Sequence, residues 1–168
     1  MKNEKLDWAA IAPPIILSEE DCKEQASRIF DLHKLEIQKT GGFSKSDIRG
    51  EQKQRLEVES RLLTPVYSVF CISFGMSPAE RFEFTDIFDQ VSRFAEMLAK
   101  DHIFGDGNKR TAMRASLSYL FRMGIELDID DSDEPERNGM YRWIQEMVSG
   151  QKTFTELAAQ LRNSARLI

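Results

Sequence analysis

The stretch from His102 to Ala112, His-Ile-Phe-Gly-Asp-Gly-Asn-Lys-Arg-Thr-Ala, combines residue types that can do chemistry together. Gly105 and Gly107 permit a tight turn and let backbone N–H groups face a ligand without side-chain obstruction. A helix beginning near Asn108 presents its unpaired N-terminal N–H groups and the positive end of its dipole at that turn, an arrangement that binds phosphate. Lys109 and Arg110 add two positive charges to the first helical turn, where cations are unfavourable unless an anion is expected. Asp106 beside this nest is the kind of carboxylate that holds Mg²⁺ against phosphates. His102 lies just upstream, and an imidazole that is substantially neutral near pH 7 can take a proton. Phe104 alternates with His102 and is expected to point into the core and anchor the loop. The parts amount to a base, a metal carboxylate and a cationic phosphate nest, as phosphoryl or nucleotidyl transfer needs. Each residue alone fits a solvated helix-capping turn; the set together does not.

The elements that must position these residues read as helices nearly throughout. Ser18, with Asp21 three residues on, caps a first helix. Its apolar face runs Cys22, Ala26, Ile29, Phe30, His33 and Ile37, and Thr40-Gly41-Gly42 ends it. A Gly/Ser-rich loop over Gly41–Gly50 leads to a helix over Glu51–Leu63, and Pro65 starts another reaching about Phe74. Ser77-Pro78-Ala79-Glu80 is a helix start, followed by the stripe Ile87, Val91, Phe94 and Leu98, which stops just before His102. The helix from Asn108 to Met123 is apolar on several sides, as expected of one at the centre of a fold. Gly124 ends it, Ile125 to Ile129 alternates briefly, and Asp128 to Glu136 is an acidic loop. Asn138–Ser149 and Phe154–Asn163 are the last two helices, the second with a Thr153/Glu156 capping box. Residues 1–14 read as an irregular arm.

The chain of 168 residues is expected to form one domain, with 41% hydrophobic and 30% charged residues. A net charge of −5 gives no general attraction to nucleic acid. No apolar run is long enough to span a bilayer and the first residues do not read as a signal peptide, so a cytoplasmic protein is expected. Cys22 and Cys71 are read as separate, reduced core residues. His33, on the apolar face of the first helix, is read as a satisfied core histidine in preference to a catalytic one, with a supporting place behind the site as the alternative. Asp128, Asp130, Asp131, Asp133 and Glu134 are read as a solvated acidic loop, since EF-hand spacing is absent.

Residues His102 to Arg110 resemble the core motif of the Fic/Doc superfamily, His-x-Phe-x-(Asp/Glu/Asn)-(Gly/Ala)-Asn-(Gly/Lys)-Arg. Lys109 followed by Thr111-Ala112 resembles the Doc (death-on-curing) branch. Typical Fic adenylyltransferases have Gly in place of Lys109 and a second Arg where Met113 stands; Arg114 is one residue out of register. Weaker likeness extends over roughly residues 15 to 130. The resemblance implies an all-α Fic fold: a helical bundle with the active-site loop between two central helices and a short flap or hairpin. It implies His102 as general base, Asp106 as Mg²⁺ ligand, and Gly105, Gly107, Asn108, Lys109 and Arg110 as the ATP phosphate cradle. The segment Gly41 to Arg49 would be a flap docking the target as an added strand. The implied activity is ATP-dependent modification of a Ser, Thr or Tyr hydroxyl. Doc members are toxins that phosphorylate a translation factor and are restrained by a separate antitoxin; Fic members more often transfer AMP. No (Ser/Thr)-x-x-x-Glu-(Gly/Asn) inhibitory helix is found, which fits restraint by another chain. A catalytically silent binding module with the same fold is the alternative from another class.

Overall fold

The computed structural model describes residues 5–39, 48–104 and 107–168. Its helices are α1 (Trp8–Ile11), α2 (Glu19–Lys39), α3 (Ile48–Phe70), α4 (Pro78–Phe82), α5 (Ile87–Lys100), α6 (Asn108–Arg122), α7 (Gly139–Val148) and α8 (Phe154–Ser164). Strands β1 (Ile125–Leu127) and β2 (Ala165–Leu167) pair antiparallel. Among the described residues the fold is therefore all-α apart from this small ribbon, as expected. The expected flap lies outside the described residues, save Ile48 and Arg49, which begin α3.

Helices α5 and α6 form the centre and the others pack around them. The apolar stripe of α5 is fully buried at Ile87, Val91, Phe94 and Leu98. Tyr119 of α6 stacks on Phe70 of α3 and meets the edge of Phe94 of α5. Burial pushes the Tyr119 phenol well above its ordinary range; it stays protonated and donates to Gln25 Oε1 at 3.0 Å. Ser18 caps α2 by accepting from Asp21 N at 3.1 Å, and the α2 face Cys22–Ile37 is buried as its spacing requires.

Several boundaries differ from the sequence expectation. The separate helices expected on either side of Pro65 are one helix, α3, with Pro65 inside it. Proline forfeits a single backbone hydrogen bond there, while Leu62, Val66, Val69 and Phe70 continue one fully buried face across it. Conversely, the segment from Ser77 to Lys100 divides into two. Glu83 adopts φ +59 and ends α4, and Asp86 caps α5 by accepting from Phe88 N and Asp89 N. The expected irregular arm contains α1, whose Trp8 packs edge-on against Phe88. Phe121 of α6 is 67% exposed, so that helix is not buried all round. Cys22 and Cys71 are not separate thiols: the structure joins them as a disulfide across the packed α2 and α3. Both lie in the core, where the helices' antiparallel packing brings the start of one beside the end of the other.

Two buried polar residues tie the bundle together. Gln90, in the first turn of α5, receives Ile15 N and donates to the carbonyls of Ile15 and Val69, fixing the N-terminal arm to α3. Asp86 accepts from Arg162 of α8 at 2.7 and 3.0 Å, and this hydrogen bonding holds the guanidinium pKa up.

Asp86→Ala removes a helix cap and leaves the Arg162 guanidinium without its main counter-charge, so urea unfolding is expected to show a loss of about 2–3 kcal/mol. Asp86→Asn keeps the capping acceptor and is expected to lose less than half as much.

Candidate active site

The chain must turn sharply between α5, which stops at Lys100, and α6, which starts at Asn108. Among the described residues of this turn, two take left-handed backbone: His102 at φ +49 and Gly107 at φ +77. For a residue with a side chain this conformation is uncommon, and such outliers gather at functional sites. At Gly107 a side chain is disfavoured by the backbone and crowded by α2. The backbone is left-handed, and a Cβ would stand 3.1 Å from Ile37 Cδ1 and 3.6 Å from His33 Cδ2.

Three contacts hold the loop. Phe104 is buried and stacks face to face on His33 of α2, with ring centroids 3.7 Å apart and planes 8° from parallel. Asn108 closes a ring with the Phe104 backbone: its Oδ1 accepts from Phe104 N at 3.0 Å and its Nδ2 donates to Phe104 O at 2.9 Å. Arg61 of α3 donates to Ile103 O at 3.4 Å. Phe104 is thus buried against His33, the histidine on the apolar face of α2.

His102 is exposed and lines a cleft of about 270 Å³ with Gly107, Asn108, Lys109 and Arg110, and with Tyr141 and Val148 of α7. The structure thus brings together five of the site residues expected from sequence. Gly105 and Asp106 lie outside the described residues. Asn108 differs in emphasis, because both ends of its side-chain amide are occupied by the loop backbone. Gly107 offers α6 no side-chain cap, unlike Ser77, Asp86, Asn138 and Thr153 at the heads of α4, α5, α7 and α8. The cleft therefore adjoins a helix start with a positive dipole end.

The cations around the head of α6 are held differently. Arg110 donates to the carbonyl of Glu36 at 3.4 Å. Arg114 meets the Glu36 carboxylate at 3.2 Å, Asp131 at 3.3 Å and Asp133 at 3.5 Å. Met113, where a second motif arginine would stand, is buried in the core. Lys109 makes no ion pair among the described residues; its ammonium stands 5.9 Å from the centre of the Tyr141 ring, within reach of a cation–π attraction. Glu36, Arg61 and Tyr141 escaped the sequence reading. His33, Glu36 and Ile37 share one face of α2 at helical spacing, which was a usable signal. Nothing in the sequence joined Tyr141 to Lys109.

The Fic/DOC family model matches residues 23–120, more than half of the chain. The protein kinase doc of Escherichia phage P1 is 39% identical over 54 residues, covering 32% of this chain and 40% of that relative. The chain thus spans less than half the length of that relative. No solved structure matches.

Gly107→Ala forces a side chain into left-handed backbone against Ile37 and is expected to lower stability by about 1–3 kcal/mol in chemical denaturation. Asn108→Ala frees two backbone groups of Phe104 and is expected to lose about 1–3 kcal/mol in the same measurement, with faster amide exchange at Phe104.

Proposed function

The chain belongs to the Fic/DOC family, and from that premise we propose that it uses ATP to modify a hydroxyl group on another protein, transferring the γ-phosphate. The observation that carries this reading is the cleft that His102 lines together with the first turn of α6, Lys109 and Arg110 included. It joins a proton acceptor to an anion-receptive helix start, with space between them.

On this reading the triphosphate lies against the backbone of Gly105 and Gly107 and the first turn of α6. The side chains of Lys109 and Arg110 offset its charge. Asn108 keeps the turn in shape through the Phe104 backbone. Asp106 would hold Mg²⁺; a single carboxylate suffices, since this ion completes its shell with phosphate oxygens and water. When bound, the ion neutralises charge on the phosphates. His102 takes the proton from the target Ser, Thr or Tyr hydroxyl. The hydroxyl oxygen forms a bond to the γ-phosphorus, the bond from that phosphorus to the bridging oxygen breaks, and ADP leaves. The target, on the model of the toxins in this family, is a protein such as a translation factor in the cytoplasm, and a separate antitoxin protein restrains the reaction.

Transfer of AMP is the second reading, and the Asp106-Gly107-Asn108 sequence supports it. Two observations favour phosphoryl transfer. Met113 puts no cation where the usual second arginine of adenylyltransferases would reach, and Arg114 is engaged by Glu36, Asp131 and Asp133. The likeness to a protein named as a kinase points the same way.

ATP labelled at the γ position is expected to label a protein band in lysate; retention of α-label instead would replace phosphoryl by adenylyl transfer. His102→Ala is expected to slow labelling by roughly 10²–10⁴-fold. Labelling at the wild-type rate by that variant would remove the ring from the mechanism, and a wild-type chain that transfers neither label would leave the fold as a binding module.

A further inference from the structure

The β1–β2 ribbon leaves one edge open over a groove. Gly124 O accepts from Ile168 N at 2.9 Å and Asp128 N donates to Ser164 O at 2.8 Å. With Glu126 opposite Arg166 between them, these alternate residues take the inter-strand bonds. The N–H and C=O groups of Ile125 and Leu127 therefore point away from β2, in the plane of the ribbon. Among the described residues no third strand pairs with them and no other backbone group bonds them. An unpaired strand edge is a template for another extended segment.

Beside this edge lies a cleft of about 490 Å³ whose other wall is the second half of α6. Leu117 and Phe121 of that helix line it with Ile129, and Phe121 is 67% exposed. A segment added to β1 would lay alternate side chains on this apolar wall. Its other side chains would share the outward side of the ribbon with Glu126 and Asp128, both exposed, and Asp130, exposed as well, follows beyond the bend at Ile129. The two arginines that line the cleft are already matched, Arg166 by Glu126 and Arg114 by Glu36 and Asp131. Glu126 is paired with Arg166 at 3.0 Å, whereas Asp128 and Asp130 make no ion pair among the described residues.

We propose that the outer edge of β1 and the α6 wall form a docking groove for an extended, cationic segment of another protein, with basic and apolar residues alternating, bound as a third strand. Charge decides the occupant. A second copy of this chain pairing edge to edge would set the acids of one β1 against those of the other, and like charges facing across strands are destabilising. A basic segment meets unmatched carboxylates and brings its own backbone groups to those of Ile125 and Leu127. The groove does not depend on the reaction proposed for the cleft at His102.

The test uses the full chain and three probes: a short peptide alternating Lys and Val, the same peptide N-methylated at alternate amides, and one alternating Glu and Val. The Lys–Val peptide is expected to bind in calorimetry and to protect the Ile125 and Leu127 amides from exchange. Methylation, which removes the bonding edge but not the charge, is expected to weaken binding by about tenfold or more, as is the double substitution Asp128→Lys with Asp130→Lys, whose positions are exposed and leave the core untouched. Equal binding of the methylated peptide would reduce the site to plain charge attraction and overturn strand addition. Failure of the Lys–Val peptide to bind, or equal binding of the Glu–Val peptide, would overturn the proposal. So would concentration-dependent dimers in sedimentation with the same amides protected, since they give the edge to a second copy.

Discussion

The candidate site depends on one aromatic stack. The Phe104 ring lies flat on His33 of α2, and this fixes the middle of a loop that has left-handed backbone at both ends. Asn108 grips the Phe104 backbone on both its donor and its acceptor, so the first residue of α6 and the anchor of the loop form one rigid unit. The Phe104 ring is buried, whereas the His102 imidazole is exposed and lines the cleft. Phe104 and Asn108 are thereby tied to each other and to α2, while His102 stays exposed to the cleft.

Charge around the head of α6 follows from the same packing. Glu36, buried on α2 next to the stacking histidine, receives Arg110 on its carbonyl and Arg114 on its carboxylate. Arg114 turns towards Asp131 and Asp133 of the acidic loop, which draws that loop against α6. Lys109 turns instead to the Tyr141 ring. The ring attracts the ammonium without neutralising it, so its charge remains available to an anion in the cleft.

Much of this was legible in the sequence where a local rule governs the outcome. Ser18, Ser77 and Thr153 cap helices as their side chains demand, and the buried faces of α2 and α5 follow their apolar spacing. Fic/Doc membership was legible from His102 to Arg110, because backbone demands and charge are concentrated there. What was not legible depends on tertiary contacts. Pro65 reads as a break until the continuous buried face of α3 outweighs one lost bond. The pairing of Asp86 with Arg162, far along the chain, has no local signal. The pairing of Cys22 with Cys71 needs the antiparallel packing of two helices, which no spacing announces. The short sheet joins Ile125–Leu127 to the end of the chain, beyond the reach of any local pattern.

The central claim is that the head of α6 and the His102 ring face one nucleotide. Titrating the isotopically labelled chain with ATP and Mg²⁺, and following amide and imidazole resonances, tests it most directly. The account predicts that the largest shifts fall on Gly107 to Arg110 together with the His102 ring, with smaller ones at Tyr141. Saturable binding that leaves those resonances unmoved, or shifts that gather elsewhere on the bundle, would contradict it.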